Sequence, residues 1–114
     1  MVVVRFSVMF DKVRNGEKKQ TIRPYENYVH LKRGDKIHCY STRKVEGVRR
    51  RITDELLYVG KVTVVVVALW KDIRGNYVIA RRDGFKDSSE MQSWFTSKYG
   101  DIPSDRRFRL IRWS

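Results

Sequence analysis

Gly16-Glu17-Lys18-Lys19-Gln20-Thr21-Ile22-Arg23-Pro24 is the stretch on which the reading of this chain turns. A glycine heads it, the residue best suited to the left-handed conformation just past a helix end. Behind it the side chains alternate as in a short strand, with Lys18, Gln20 and Ile22 on one face and Lys19, Thr21 and Arg23 on the other. Pro24 stops that strand because it has no N–H to give to a ladder. The pattern marks a place for two cations and a hydroxyl to converge, without by itself establishing that they do. Strict alternation sets Lys18 and Thr21 on opposite faces, so the two meet only at a bulge or bend.

Upstream, the β-branched run Val2 to Phe6 opens the chain as a strand. Ser7 to Asn15 follows with Phe10 and Val13 three apart, which predicts a short helix ended by Gly16, with Phe10 packing on a sheet. Downstream, Pro24 to Gly34 reads as a loop carrying Tyr25 and Tyr28. Leu31 to Asp35 is a turn that launches a strand over Lys36 to Ser41, with Ile37, Cys39 and Ser41 inward and His38 and Tyr40 outward. The charged segment 42–55 is either a long loop or an extended hairpin arm. Leu56 to Trp70 carries the strongest strand signal. Its run of Val62, Val64, Val65, Val66 and Val67 predicts burial on both sides or curling into a barrel. Tyr77 to Ala80 reads as one more short strand, broken at Asp83-Gly84.

The best helix follows. Asp87 and Glu90 have capping-box spacing, Met91, Trp94, Phe95 and Tyr99 share a face, and Gly100 ends the helix. Trp94 and Phe95 read as core rather than as platforms for stacking bases. Phe108, Leu110 and Ile111, interleaved with arginines, form a closing strand. The expectation is a single domain over 1–114, of α+β class: a small β-barrel or partly open sheet of about six strands with two or three short helices around it.

Composition narrows the function classes. The chain has 25 Lys and Arg against 13 Asp and Glu, a net charge of +12. A field of that sign favours polyanions, and nucleic acid is the commonest in a cell; the plainer reading is a solubility surface. The basic residues cluster, at Arg43-Lys44, Arg49-Arg50-Arg51, Arg81-Arg82 and along the closing strand, and arginine suits phosphate forks and stacking. One cysteine, Cys39, excludes an internal disulfide and reads as a small buried hydrophobe in a reducing, cytoplasmic setting. His30 and His38 have no companion ligand nearby, so no metal is expected, and nothing points to another cofactor. Met1 to Val4 is too short an apolar run for a signal peptide or span, so no membrane partner is expected.

Three pieces, in order, resemble the ASCH domain, a relative of the RNA-binding PUA fold. Gly16 to Arg23 is similar to the family's Gly-x-Lys-Thr-x-Thr-x-Arg signature, Leu31 to Ile37 to its L-K-x-G-D-x-I, and Ala80 to Phe85 precedes a helix holding Trp94-Phe95-x-x-x-Tyr99. The resemblance implies a PUA-like β-barrel with a cleft over the signature strand, and RNA, nucleotides or nucleosides as partners. Some small bacterial members hydrolyse the acetyl amide of acetylcytidine, and a few are reported as ribonucleases. Carried over residue by residue, the working lysine falls on Lys18, the threonine on Thr21 and the carboxylate on Asp83. Lys19 stands where the signature has threonine, and Asp83 is one methylene shorter than the enzymes' glutamate.

Two readings follow. In the first the cleft binds RNA or a nucleotide without turnover. Lys18, Lys19 and Arg23 meet phosphate, Tyr25 or Tyr28 stacks on a base, and Arg49, Arg50, Arg51, Arg81 and Arg82 extend the phosphate track. In the second, Lys18 takes the proton of Thr21, whose hydroxyl attacks the amide carbonyl, and Asp83 protonates the departing cytosine amine. A ribonuclease is the weaker third, since neither histidine lies in the signature.

Overall fold

A computed structural model describes residues 1–114. The chain runs β1 (Val2–Phe6), α1 (Phe10–Arg14), β2 (Gln20–Pro24), β3 (Lys36–Arg43), β4 (Ile52–Leu69), α2 (Trp70–Ile73), α3 (Tyr77–Arg82), α4 (Ser88–Tyr99) and β5 (Arg107–Trp113). Its five strands form one mixed sheet in the order β1-β3-β4-β5-β2, with β1 parallel to β3 and every other pair antiparallel.

β4 is the spine. Its first half pairs with β3 from Arg43↔Ile52 to Lys36↔Lys61, and its second with β5 from Val62↔Trp113 to Leu69↔Arg107. The register shifts between Val62 and Val64, and twice in β3 around Tyr40, and such bulges bend a sheet. The bending brings the two edge strands, β1 and β2, near each other without pairing them. Only a side chain crosses the gap: Arg23 Nη2 donates to the Arg5 carbonyl at 2.8 Å. The sheet is therefore not closed into the expected barrel, and an open seam runs beside β2.

The strand and helix counts differ from expectation, with five strands and four helices. Tyr77 to Arg82 is helical, although Tyr-Val-Ile favours strands. Asn76 caps the segment by accepting from the Ile79 N–H at 3.0 Å, and only Ala80 of the six is buried. A cap plus one buried contact outweighs β-propensity, which is mostly a packing preference. The valine run is a strand but is not buried on both sides, since Val66 and Val67 remain 46% and 47% exposed. Segment 42–55 is the hairpin arm: β3 extends to Arg43, β4 begins at Ile52, and the Arg43–Asp54 ion pair ties them at 3.0 Å.

Two apolar clusters hold the sheet. One lies where Val4, Ile37, Cys39 and Val62 meet Ile111 and Trp113; the other joins Ile22, Phe108 and Leu110 to Trp70, Met91 and Phe95 of the helices. Asp87 caps α4 as expected, accepting from the Glu90 N–H at 2.9 Å, while Glu90 Oε1 reaches the Lys86 N–H at 3.4 Å. No helix is long and apolar enough to cross a membrane.

Candidate functional site

The seam between β1 and β2 holds a cleft, and the organising stretch supplies its floor. Gly16 has φ of +82°, turns the chain out of α1 as expected, and leaves 17–19 as a connector rather than strand. β2 begins only at Gln20. Lys18 thus lies outside the alternation, with its N–H bonded to the Lys12 carbonyl at 2.9 Å, and its side chain lines the same cleft as Thr21.

Asp83 reaches the cleft from the C-cap of α3. Lys18 Nζ donates to the Asp83 carbonyl at 2.5 Å and lies 3.1 Å from its Oδ2. Lys12 Nζ holds the next carbonyl, that of Gly84, at 2.6 Å. Gly84 has φ of +97°, and a Cβ there would sit 2.6 Å from Met9 Sδ, so this turn accepts only glycine without adjustment. The Lys18–Asp83 pair is almost sealed, with side-chain exposures of 5% and 7%. Burial pushes the Lys18 ammonium below its ordinary pKa, and the charge and hydrogen bond of Asp83 pull partly back.

A chain of hydrogen bonds continues from that pair. Gln20 Nε2 donates to Asp83 Oδ1 at 3.1 Å and to the Ile79 carbonyl at 3.0 Å, while Gln20 Oε1 accepts from Arg112 Nε at 3.0 Å. On the other side of Lys18, Thr21 Oγ1 accepts from Arg23 Nε at 2.8 Å and makes no hydrogen bond with Lys18. The Arg23 guanidinium lies over the Phe6 ring, 5.0 Å from its centroid.

Above this floor stand three aromatic rings, Phe6, Phe85 and Trp94, and the cations Arg23 and Lys98; Arg5 lends its carbonyl, while its Nε donates to Thr53 Oγ1 on β4 at 2.7 Å. Lys98 Nζ sits 4.9 Å from the Trp94 ring, and burial together with the Arg23 charge lowers its pKa. The cleft is narrow. About 50 Å³ is open to the centre of a water molecule, and the whole gap between its walls, mouth included, is about 460 Å³. Its chemistry combines apolar planar walls, a polar floor and positive charge without a free carboxylate. No three His, Cys, Asp or Glu side chains gather as metal ligands.

Of the residues singled out from sequence, Lys18, Thr21, Arg23 and Asp83 come together here. Lys19 points elsewhere, its ammonium 5.7 Å from the Tyr58 ring centroid. Tyr25 does not line the cleft. Arg107 and Arg109 lie over its ring, at 4.5 and 5.0 Å, and its carbonyl accepts from Arg109. Tyr28 packs against the first apolar cluster. Arg49 and Arg50 are exposed on the β3–β4 turn, and Arg51 folds back on Thr42 Oγ1 at 2.8 Å. Arg81 and Arg82 are exposed on α3 and line two other clefts. Phe95 is core as read, whereas Trp94 is half-buried and lines the cleft. Sequence reasoning missed Arg5, Phe6, Phe85 and Lys98. The spacing of Trp94 and Lys98, one helical turn apart, was the one available signal.

No protein-family model matches the chain, and no curated protein matches it. The chain is similar to a crystal structure of an ASCH domain from Lactobacillus crispatus JV V101, with 11% identity, a TM-score of 0.59, and coverage of 99% of this chain and 77% of that one. Identity so low speaks for the fold alone. The fold is ASCH-like, as the resemblance of Gly16 to Arg23 implied, with an open sheet in place of the expected barrel.

Proposed function

We propose that this is an RNA- or nucleotide-binding domain whose seam cleft takes one unpaired base while the cations at its mouth hold the adjoining phosphate. The observation that carries this reading is the uncompensated charge at the mouth. Arg23 and Lys98 converge there, and neither takes part in an ion pair within the protein. Cations held together beside aromatic rings match the two faces of a nucleotide, phosphate and base. The Phe6 face is already covered by Arg23 and Phe85 is buried, so Trp94 is the ring left for stacking. An incoming base displaces the Lys98 ammonium from Trp94 and frees it for phosphate. The net charge of +12 brings the polyanion in. Arg49, Arg50 and Arg51 on the hairpin arm lengthen the phosphate track.

Fluorescence anisotropy with a labelled single-stranded oligoribonucleotide, over a salt series, tests this reading. Lys98→Ala is expected to weaken binding and to flatten the slope of log affinity against log salt by about 0.7, the loss of one phosphate contact. Trp94→Leu is expected to weaken binding with the slope unchanged. Equal affinities for all three proteins overturn the reading.

A second reading, removal of the acetyl group from acetylcytidine, draws on the lowered pKa of Lys18. With the proton of the pair on Asp83, the neutral Lys18 amine takes the Thr21 proton, Thr21 Oγ forms a bond to the acetyl carbon, and the amide C–N bond breaks as Asp83 gives its proton to the departing cytosine amine. Water then releases acetate from Thr21. Against it stands the absence of a Lys18–Thr21 hydrogen bond. Cytidine released by the native protein and not by Lys18→Ala would favour it over binding alone.

A further inference from the structure

A second cleft lies along the same stretch of chain, lined by Lys19, Gln20, Arg82 and Arg112 with Glu17 and Thr63 among its other walls. It is wider than the seam cleft, with about 290 Å³ open to the centre of a water molecule. Its charges are unmatched. Arg112 uses only its Nε–H within the protein, on Gln20 Oε1 at 3.0 Å, so both terminal amino groups of its fork donate to no protein atom. The Arg82 side chain makes no hydrogen bond and no ion pair, and the Lys19 ammonium lies beside the Tyr58 ring without an ion pair. The one carboxylate, Glu17, is engaged by the Asn15 amide at 2.9 Å and by none of the three cations. The Arg112 guanidinium lies below its ordinary pKa because of burial and, next, the neighbouring Arg82 charge. Two guanidiniums and an ammonium thus share one polar hollow with a single carboxylate, Glu17, which pairs with none of them. A half-buried guanidinium fork without a carboxylate is matched best by a tetrahedral oxyanion, which accepts from both amino groups at once.

We propose that this hollow is a phosphate-binding site separate from the seam cleft, in which Arg112 grips a phosphate bidentately and Arg82 and Lys19 complete its neutralisation. The phosphate comes either from an RNA backbone or from a free phosphate compound, and the site stands whether or not the seam cleft takes a base. Gln20 forms the wall between the two clefts, bonded to Arg112 on one side and Asp83 on the other.

The test uses the exposed pair Lys19→Ala/Arg82→Ala, neither of which holds the fold together, beside Lys71→Ala/Arg74→Ala, which removes the same charge from α2 and its C-cap. Calorimetric titration with pyrophosphate at low salt is the first arm, and titration with a single-stranded oligoribonucleotide the second. Loss of pyrophosphate affinity by roughly tenfold or more in Lys19→Ala/Arg82→Ala alone supports the site, since one charge-assisted hydrogen bond is worth about that factor. If RNA affinity and its salt slope fall in the same variant, the backbone is the source. If RNA binding is unchanged, the source is a free phosphate compound. The proposal fails if neither pyrophosphate nor RNA distinguishes this variant from the α2 control. Because pyrophosphate carries no base, that failure leaves the reading of the seam cleft intact, and the reverse also holds.

Discussion

Lys18 carries an ammonium where almost no water reaches it, and Asp83 is what makes that tolerable. Removing one partner of a buried ion pair strands the other, which typically costs about 3–5 kcal/mol. Lys18→Ala is expected to lower stability by that order in urea unfolding, and Lys18→Met/Asp83→Leu to cost less than the two single changes summed. The pH dependence has a definite sign. In the folded state the Lys18 pKa lies below its ordinary 10.5, so between the two values the unfolded chain binds more protons than the folded one. Stability from this group therefore rises with pH across that window, and a Lys18→Met variant should lose the rise. Lys18, Thr21 and Asp83 were legible as a group only through the resemblance. Alternation by itself set Lys18 on the wrong face, because it assumed a strand that begins two residues before β2 does. Trp94 was hidden for a different reason: helical periodicity identifies an apolar face but not which edge of it borders a cleft.

Among the elements, α4 was readable because its Asp cap and closing Gly point to a helix and nothing else, and α3 was not. Asp87 and Gly100 delimit α4 in the sequence and do so in the structure. α3 was misread because its Tyr-Val-Ile start favours a strand, while Asn76, the residue that fixes it as a helix, reads equally as a turn. The α3–α4 connection then sets the site, since Asp83 and Gly84 are pinned by Lys18 and Lys12. Gly84→Ala is expected to destabilise the protein by about 1–3 kcal/mol through its backbone conformation alone. Urea midpoints should show that adding Met9→Ala recovers only the steric part, because φ at Gly84 remains positive. The exposure of Val66 and Val67 on β4 was not legible either, since a valine run records strand preference and not which face the helices cover.

At the scale of the molecule, the α+β class was readable from the spacing of its strands, but the choice between a barrel and a partly open sheet was not. Closure of a sheet depends on how far its edges curl, which bulges and long-range packing decide. The strand order also carries a prediction. β2 hydrogen-bonds in the sheet only to β5, with Gln20 opposite Arg112, 92 residues later. A chain ending before Arg107 leaves β2 and the second half of β4 without a partner. It should show no cooperative unfolding transition by circular dichroism. The same pairing sets an order of events during synthesis. The Gly16–Pro24 stretch leaves the ribosome early yet cannot settle until β5 has emerged behind it. Until then its two lysines and its one arginine have no sheet to hold them, so neither cleft exists before translation has passed Trp113.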